Sequence, residues 1–196
     1  GRCSGRDLDK FATLNGLLVV GCPQGFSSLG VRSGTVYAYR DFGSGYTLID
    51  SPIAQTLVEG ALFGWSLATH GDTLVVGAKN EPGPGLANGG AVYVFERQSN
   101  SWAFSQRLLP AEPLEGLHFG YSVAVDADAI VVSSYGRLVS SSTSTNANQE
   151  IHTFHRQGSG WARHSQVLVH STPFLVSSLP TASLAMENGL LGVGIL

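Results

Sequence analysis

The sequence predicts an all-β fold: a β-propeller of four-stranded antiparallel blades, with about three and a half blades present as an incomplete ring. Three observations carry this. First, residues 63–78, FGWSLATHGDTLVVGA, and 119–134, FGYSVAVDADAIVVSS, agree at seven of sixteen positions. Second, the spacing is fixed: Phe63 and Phe119, Asp72 and Asp128, and Val76 and Val132 are separated by one constant interval, a long period that signals a repeat architecture. Third, 25 glycines punctuate short runs of Val, Leu, Tyr and Phe, as in chains that reverse often between strands.

Each element can be read from the second copy. Residues 66–68 make a short first strand, and His70, Gly71 and Asp72 form a turn that needs the backbone freedom of Gly and Asp. Residues 74–78 are continuously apolar, which suits a strand buried on both faces. Residues 79–88 are a Pro- and Gly-rich loop, and 91–95 a third strand. After a turn at 98–101, Trp102, Phe104, Gln106 and Leu108 alternate with Ala103, Ser105 and Arg107, a half-exposed fourth strand. Four antiparallel strands per repeat make one propeller blade. The period places blades at about 8–60, 61–116 and 117–172, and a partial blade at 173–196, whose NGLLGVG echoes NGLLVVG at 15–21. Phe63 and Phe119 are expected to wedge between neighbouring sheets. The apolar LLGVGIL and the incomplete ring make the chain read as part of a longer one.

Composition narrows the function classes. The chain is 43% hydrophobic and only 13% charged, so it has the makings of a folded core. A net charge of −3 gives no footprint for nucleic acid. No run of 18 apolar residues offers a membrane span, and GRCSGRDLDK does not read as a signal peptide. Cys3 and Cys22 either pair in an oxidising compartment or are two unrelated thiols.

FGWSLA, GDTLVVGAK and GGAVYVF, followed by Trp102, Gln106 and Leu108, resemble the FG-GAP repeat, the blade unit of integrin α-chain propellers and of many secreted repeat proteins. FGYSVA, DADAIVVSS and EIHTFHR, then Trp161, Gln166 and Leu168, repeat the pattern. The proline that comes after Gly-Ala in the family stands here only as Pro23, and Lys79 takes that place after Gly77-Ala78. The resemblance implies an extracellular or cell-surface setting. Many family members also carry an acidic calcium loop. Calcium needs several oxygen ligands in one loop, and the loops here offer Glu81 alone in the first and no carboxylate in the second. Calcium is therefore not carried over, and no cofactor is expected.

Catalytic patterns are sparse. His152 and His155 are three apart on a strand and point to opposite faces. No HExxH, CxxC or GxSxG occurs, Gly83-Pro84-Gly85 is not followed by a helix, and Asp126 and Asp128 fall in a hairpin turn. No Asn-x-Ser/Thr sequon is present, and SSSTSTNANQ (140–149) has the composition of a polar loop.

The expectation is a non-catalytic interaction or scaffold module, since loops held by a rigid frame are where binding concentrates. The loops 79–90 and 135–149 are the contact candidates, through Lys79, Asn80, Glu81, Asn88, Tyr135, Arg137, Asn146 and Asn148. The partner would be a protein, a glycan, or the remaining blades of the parent chain. The alternative is a propeller appended to, or part of, a hydrolytic enzyme whose catalytic residues lie outside these 196 residues.

Overall fold

A computed structural model of the chain describes residues 3, 10–28, 30–51, 58–83, 86–99, 101–141, 144–173, 182–187 and 190–195. Side chains are described for all of these except 135–141, 144–149, 166–173, 182–183, 187 and 193–195.

Strands β1 (Phe11–Leu14), β2 (Leu17–Cys22), β3 (Thr35–Asp41) and β4 (Tyr46–Asp50) form sheet I. Sheet II holds β5 (Phe63–His70), β6 (Thr73–Ala78), β7 (Ala91–Gln98) and β8 (Ser101–Leu108). Sheet III holds β9 (Ser122–Val125), β10 (Ala129–Ser141), β11 (Ser144–Gln157) and β12 (Gly160–Pro173), and β13 (Ala182–Glu187) pairs with β14 (Leu190–Ile195). Each sheet is an open antiparallel meander in chain order. Register repeats as well as sequence: Val20 faces Tyr37, Val76 faces Tyr93, and Val132 faces His152.

The continuous apolar runs arise because the middle strands are buried on both faces. Leu74, Val76, Ala78, Ala91, Tyr93 and Phe95 pack with Leu17, Val19, Val36 and Ala38 between sheets I and II. Val75, Val92 and Val94 pack on the opposite side with Val123, Val125, Ile130 and Val132 of sheet III. Phe63 is fully buried in the first of these cores, edge-on to Tyr93 and Phe95, and Phe119 occupies the same place in the second. Burying one such side chain contributes about 1.5–3 kcal/mol.

The residue after each of these phenylalanines locks the sheets together. Gly64 and Gly120 both have φ of +88°, a left-handed conformation that favours glycine. Gly64 lies against Gly21 of the preceding sheet, and Gly120 lies against Gly77. A methyl group at Gly21 would strike the carbonyl oxygen of Gly64, and one at Gly77 would strike that of Gly120. Beside each contact runs a parallel bridge, Gly34 with Phe63 and Gly90 with Phe119. The Phe63 N–H donates to the Ser33 carbonyl at 2.8 Å, and that of Phe119 to the Gly89 carbonyl at 3.0 Å. Phe-Gly at the start of one blade and Gly on the second strand of the previous blade are thus two halves of one joint.

The outer strands depart from simple alternation. A bulge interrupts β3–β4 between Ala38 and Tyr39, β7–β8 between Val94 and Phe95, and β11–β12 between Thr153 and Phe154, equivalent places in all three blades. In β8 the extra residue is Ser105, because Phe95 faces Phe104 and Val94 faces Gln106. One extra residue reverses the parity of the residues beyond it. Trp102 and Phe104 therefore pack on the sheet I side, while Leu108 packs on the sheet III side, which corrects the expected single face for all four. The outer strands are also stitched across blades: the Trp102 N–H donates to Asp50 Oδ2 at 2.6 Å, and the Trp161 N–H to Gln106 Oε1 at 2.8 Å.

In each blade the second strand runs away from the first turn. The loop 79–90 and the Phe-Gly joint therefore lie at one end of the sheets, here the loop end. The turns at 71–72 and 126–128 lie at the other, the turn end. Cys3 and Cys22 are joined by a disulfide.

Candidate functional site

The loop end of sheet II is held from below by a buried carboxylate. Glu81 is 3% exposed. Its Oε2 accepts from the Tyr93 hydroxyl at 2.5 Å, and its Oε1 lies 2.6 Å from Arg107 Nη2. Burial pushes its pKa up, while the Tyr93 hydrogen bond and the Arg107 charge pull it back down. Of the eight residues expected to make contacts, Glu81 is thus turned inward, where it ties the loop to β7 and β8.

Lys79 and Asn80 lie at the surface of the same end, both half-buried. Lys79 Nζ sits 3.7 Å from the centre of the Trp65 ring and 5.2 Å from that of Tyr121. The two rings are 5.8 Å apart, and Lys10 Nζ approaches the Trp65 ring to 4.9 Å. Asn80 Oδ1 is 3.0 Å from His118 Nδ1, a hydrogen-bonding distance that joins the loop to the entry of sheet III. Burial lowers the Lys79 pKa, helped by the Lys10 charge; burial and then the Lys79 charge lower that of His118. Lys79 has no carboxylate partner among the described residues. An ammonium over two aromatic faces gains a cation–π attraction and leaves its outer side for an acceptor.

Asn88 is exposed, with φ of 53°, and its carbonyl accepts the His118 N–H at 3.0 Å. Loop 79–90 is in this way bonded to the segment that enters sheet III. Trp65, Tyr121, His118 and Lys10 are not among the residues expected from the sequence to make contacts. A signal for two of them is nonetheless present: an aromatic comes directly after Phe-Gly in both copies.

Residues 135–141 and 144–149 are not a loop. β10 and β11 continue through them, with Arg137 facing Asn148 and Val139 facing Asn146, and the end of β12 pairs on the other side of β11, Ser171 facing Asn148 and Pro173 facing Asn146, so the arm is three-stranded. Tyr135 lies in the irregularity between Ser134 and Arg137. The Ser/Thr/Asn composition points to a loop because it lacks an apolar face, yet backbone pairing needs no apolar side chain.

Among the described side chains of sheet III, the buried polar groups Ser134 and Glu150 gather around His152. His152 is fully buried, with Ser134 Oγ at 3.0 Å and Glu150 Oε2 at 3.4 Å, both from the same nitrogen, Nε2. A nucleophile–base–orienter relay needs the carboxylate on the other ring nitrogen, and Nδ1 has no hydrogen-bond partner. His155 lies on the opposite side of β11, its ring 4.3 Å from that of His164. Asp126 and Asp128 flank the hairpin turn between β9 and β10, and Asp126 Oδ1 lies 3.4 Å from His70 Nδ1. Among the described residues no group of three or more His, Cys, Asp or Glu gathers as metal ligands would.

The repeat geometry agrees with the comparison to protein families. The FG-GAP repeat model matches residues 53–95 and 102–147. No curated protein matches the chain.

Proposed function

The chain carries FG-GAP repeats at residues 53–95 and 102–147, the repeat that makes blades of a β-propeller, and from that premise we propose that it is a non-catalytic interaction module. Its contact surface is the loop end of sheets II and III, where Lys79, Asn80 and Asn88 stand beside Trp65, Tyr121 and His118. The observation that carries this reading is the Lys79 ammonium, 3.7 Å above Trp65 and without a carboxylate partner among the described residues, on a loop fixed by Glu81. A rigid frame beneath aromatic and cationic side chains suits recognition of a protein or an acidic glycan, because little order must be imposed on binding. In this reading the module uses no cofactor, and its setting is extracellular or at the cell surface. The Cys3–Cys22 disulfide supports that setting, since such bonds persist in oxidising compartments.

The test is a screen of the purified chain against arrayed extracellular proteins and glycans, then titration of the ligand found. A Lys79→Gln, Asn88→Gly variant, whose glycine keeps the left-handed turn at 88, is expected to bind about tenfold more weakly while the chain stays folded under the conditions of the binding measurement. Binding that survives both changes sinks this assignment of the surface.

A further inference from the structure

The turn end of the molecule carries a second feature, visible when its two blade junctions are compared. At the junction of sheets II and III, Glu96 of β7 meets Arg156 of β11. The Arg156 guanidinium lies 3.5 Å from Glu96 Oε1, donates to Thr73 Oγ1 at 2.8 Å, and reaches the Ala127 carbonyl at 3.3 Å. At the junction of sheets I and II the same two positions are occupied by Arg40 and Arg97. The equivalence rests on register: Leu17 faces Arg40 on β2–β3 as Thr73 faces Glu96 on β6–β7, one repeat further along the chain. The Arg97 N–H donates to the Asp72 carbonyl at 2.8 Å as that of Arg156 does to Asp128 at 3.0 Å. One junction closes with a carboxylate against a guanidinium, and the other sets two guanidinium groups at the matching places.

Those two arginines line a cleft of about 190 Å³ with Leu14, Asn15, Gly71 and Asp72. Arg97 is engaged with the carboxylate of Asp72, Nη2 to Oδ1 at 3.0 Å, on a side chain that is 67% exposed. Among the described residues the Arg40 side chain has neither a hydrogen bond nor an ion pair, and its Nε is buried without a partner. A buried donor left unmade carries the full cost of its desolvation, and a guanidinium presents a planar fork suited to two oxygens at once.

We propose that this cleft between the first two blades binds a small oxyanion, carboxylate or phosphate, which takes the place that the Glu96 carboxylate fills at the next junction. The site lies at the end opposite the surface of Lys79 and does not depend on that surface's function. The bound group completes the Arg40 fork and balances the Arg40 charge, for which the cleft holds no second carboxylate, since Asp72 is engaged with Arg97.

The experiment tracks the arginine Nε–Hε signals of the ¹⁵N-labelled chain during titration with sodium acetate and, separately, inorganic phosphate, with sodium chloride at matched ionic strength as reference. A saturable shift of the Arg40 and Arg97 signals with either oxyanion, absent with chloride, is expected; which anion saturates first tells planar from tetrahedral recognition. Arg40→Glu supplies the missing carboxylate from within. It is expected to weaken the acetate and phosphate responses about tenfold or more and to raise the unfolding midpoint in chloride alone. Arg40→Gln, which keeps the donor-bearing stem and loses the charge, is expected to weaken both responses without that rise. The proposal fails if neither oxyanion acts beyond chloride, or if the response persists in both variants.

Discussion

Lys79 stands one repeat after Pro23, so the second blade carries a cation where the first has a rigid imino acid. That exchange sets the chemistry of the loop end, and His118 reports it. The folded-state pKa of His118 lies below the ordinary 6.5, chiefly through burial and then through the Lys79 charge, while a hydrogen bond to the Lys79 backbone pushes the other way. The sign comes from linkage. A histidine whose pKa is depressed by folding contributes stability that is full above about pH 6.5 and is lost as pH falls through the folded value, because the unfolded chain takes up the proton first. An imidazole titration by NMR is expected to place His118 below its ordinary value in the native chain and closer to it in Lys79→Ala. The loss of unfolding midpoint on acidification below about pH 6.5 should shrink in the same variant. A His118 that titrates normally, or that ignores the Lys79 change, refutes the coupling. At this scale the sequence is informative about residue type and poor about direction. Glu81 is visible as the sole carboxylate of its loop, but its inward turn depends on Tyr93 and Arg107, which belong to the third and fourth strands.

At the scale of elements, the inner strands are readable from sequence and the outer ones less so. Residues 74–78 are apolar without interruption because both faces of β6 are covered, a demand that writes itself into side-chain type. The bulge at Ser105 leaves no such mark: a small polar residue fits equally well in an alternating strand, and its effect is to flip Leu108 to the other face. The arm formed by β10, β11 and the end of β12 escapes the sequence for a related reason, since hydropathy records what is buried and not which backbones pair. The joint between blades is the element-scale feature with the sharpest consequence. Gly77→Ala places a methyl group against the Gly120 carbonyl and Ser66 Oγ, neither of which is the far end of a flexible chain. Ser66 Oγ is itself committed to the Gly120 carbonyl at 2.8 Å. Overpacking of this kind costs about 1–3 kcal/mol. Gly83→Ala is the matched control, because a methyl there meets only Leu86 at 3.8 Å, and a change within about 0.5 kcal/mol is expected for it. Denaturant unfolding of both variants separates a packed joint from a merely glycine-rich strand: equal midpoints would mean that the blades do not depend on this contact.

On the scale of the whole molecule, the two sides of a blade can be compared with each other. In sheet II the side that meets sheet I buries Trp102, and Leu67 and Phe104 pack against the same core. The residues one repeat earlier, on the same side of sheet I, are Phe11, Tyr46 and Leu48, and they are 56%, 54% and 52% exposed. The receiving side of a blade is therefore present on sheet I with no blade upon it among the described residues. A large apolar face in the open favours association, and propellers close with about 4–8 blades, so the covering element that fits is a further blade of the same repeat. The chain of these 196 residues is accordingly expected to self-associate as its concentration rises, through sheet I. Sedimentation velocity should show faster species that disappear when Tyr46 and Leu48 are both changed to lysine, positions on an outer strand whose exposure lets the charges reach water. The same double change should leave the unfolding midpoint at low concentration nearly unaltered, since neither side chain belongs to a buried core. A chain that stays monomeric at high concentration, or that associates equally well with both lysines in place, would mean that this side of sheet I is finished as it stands.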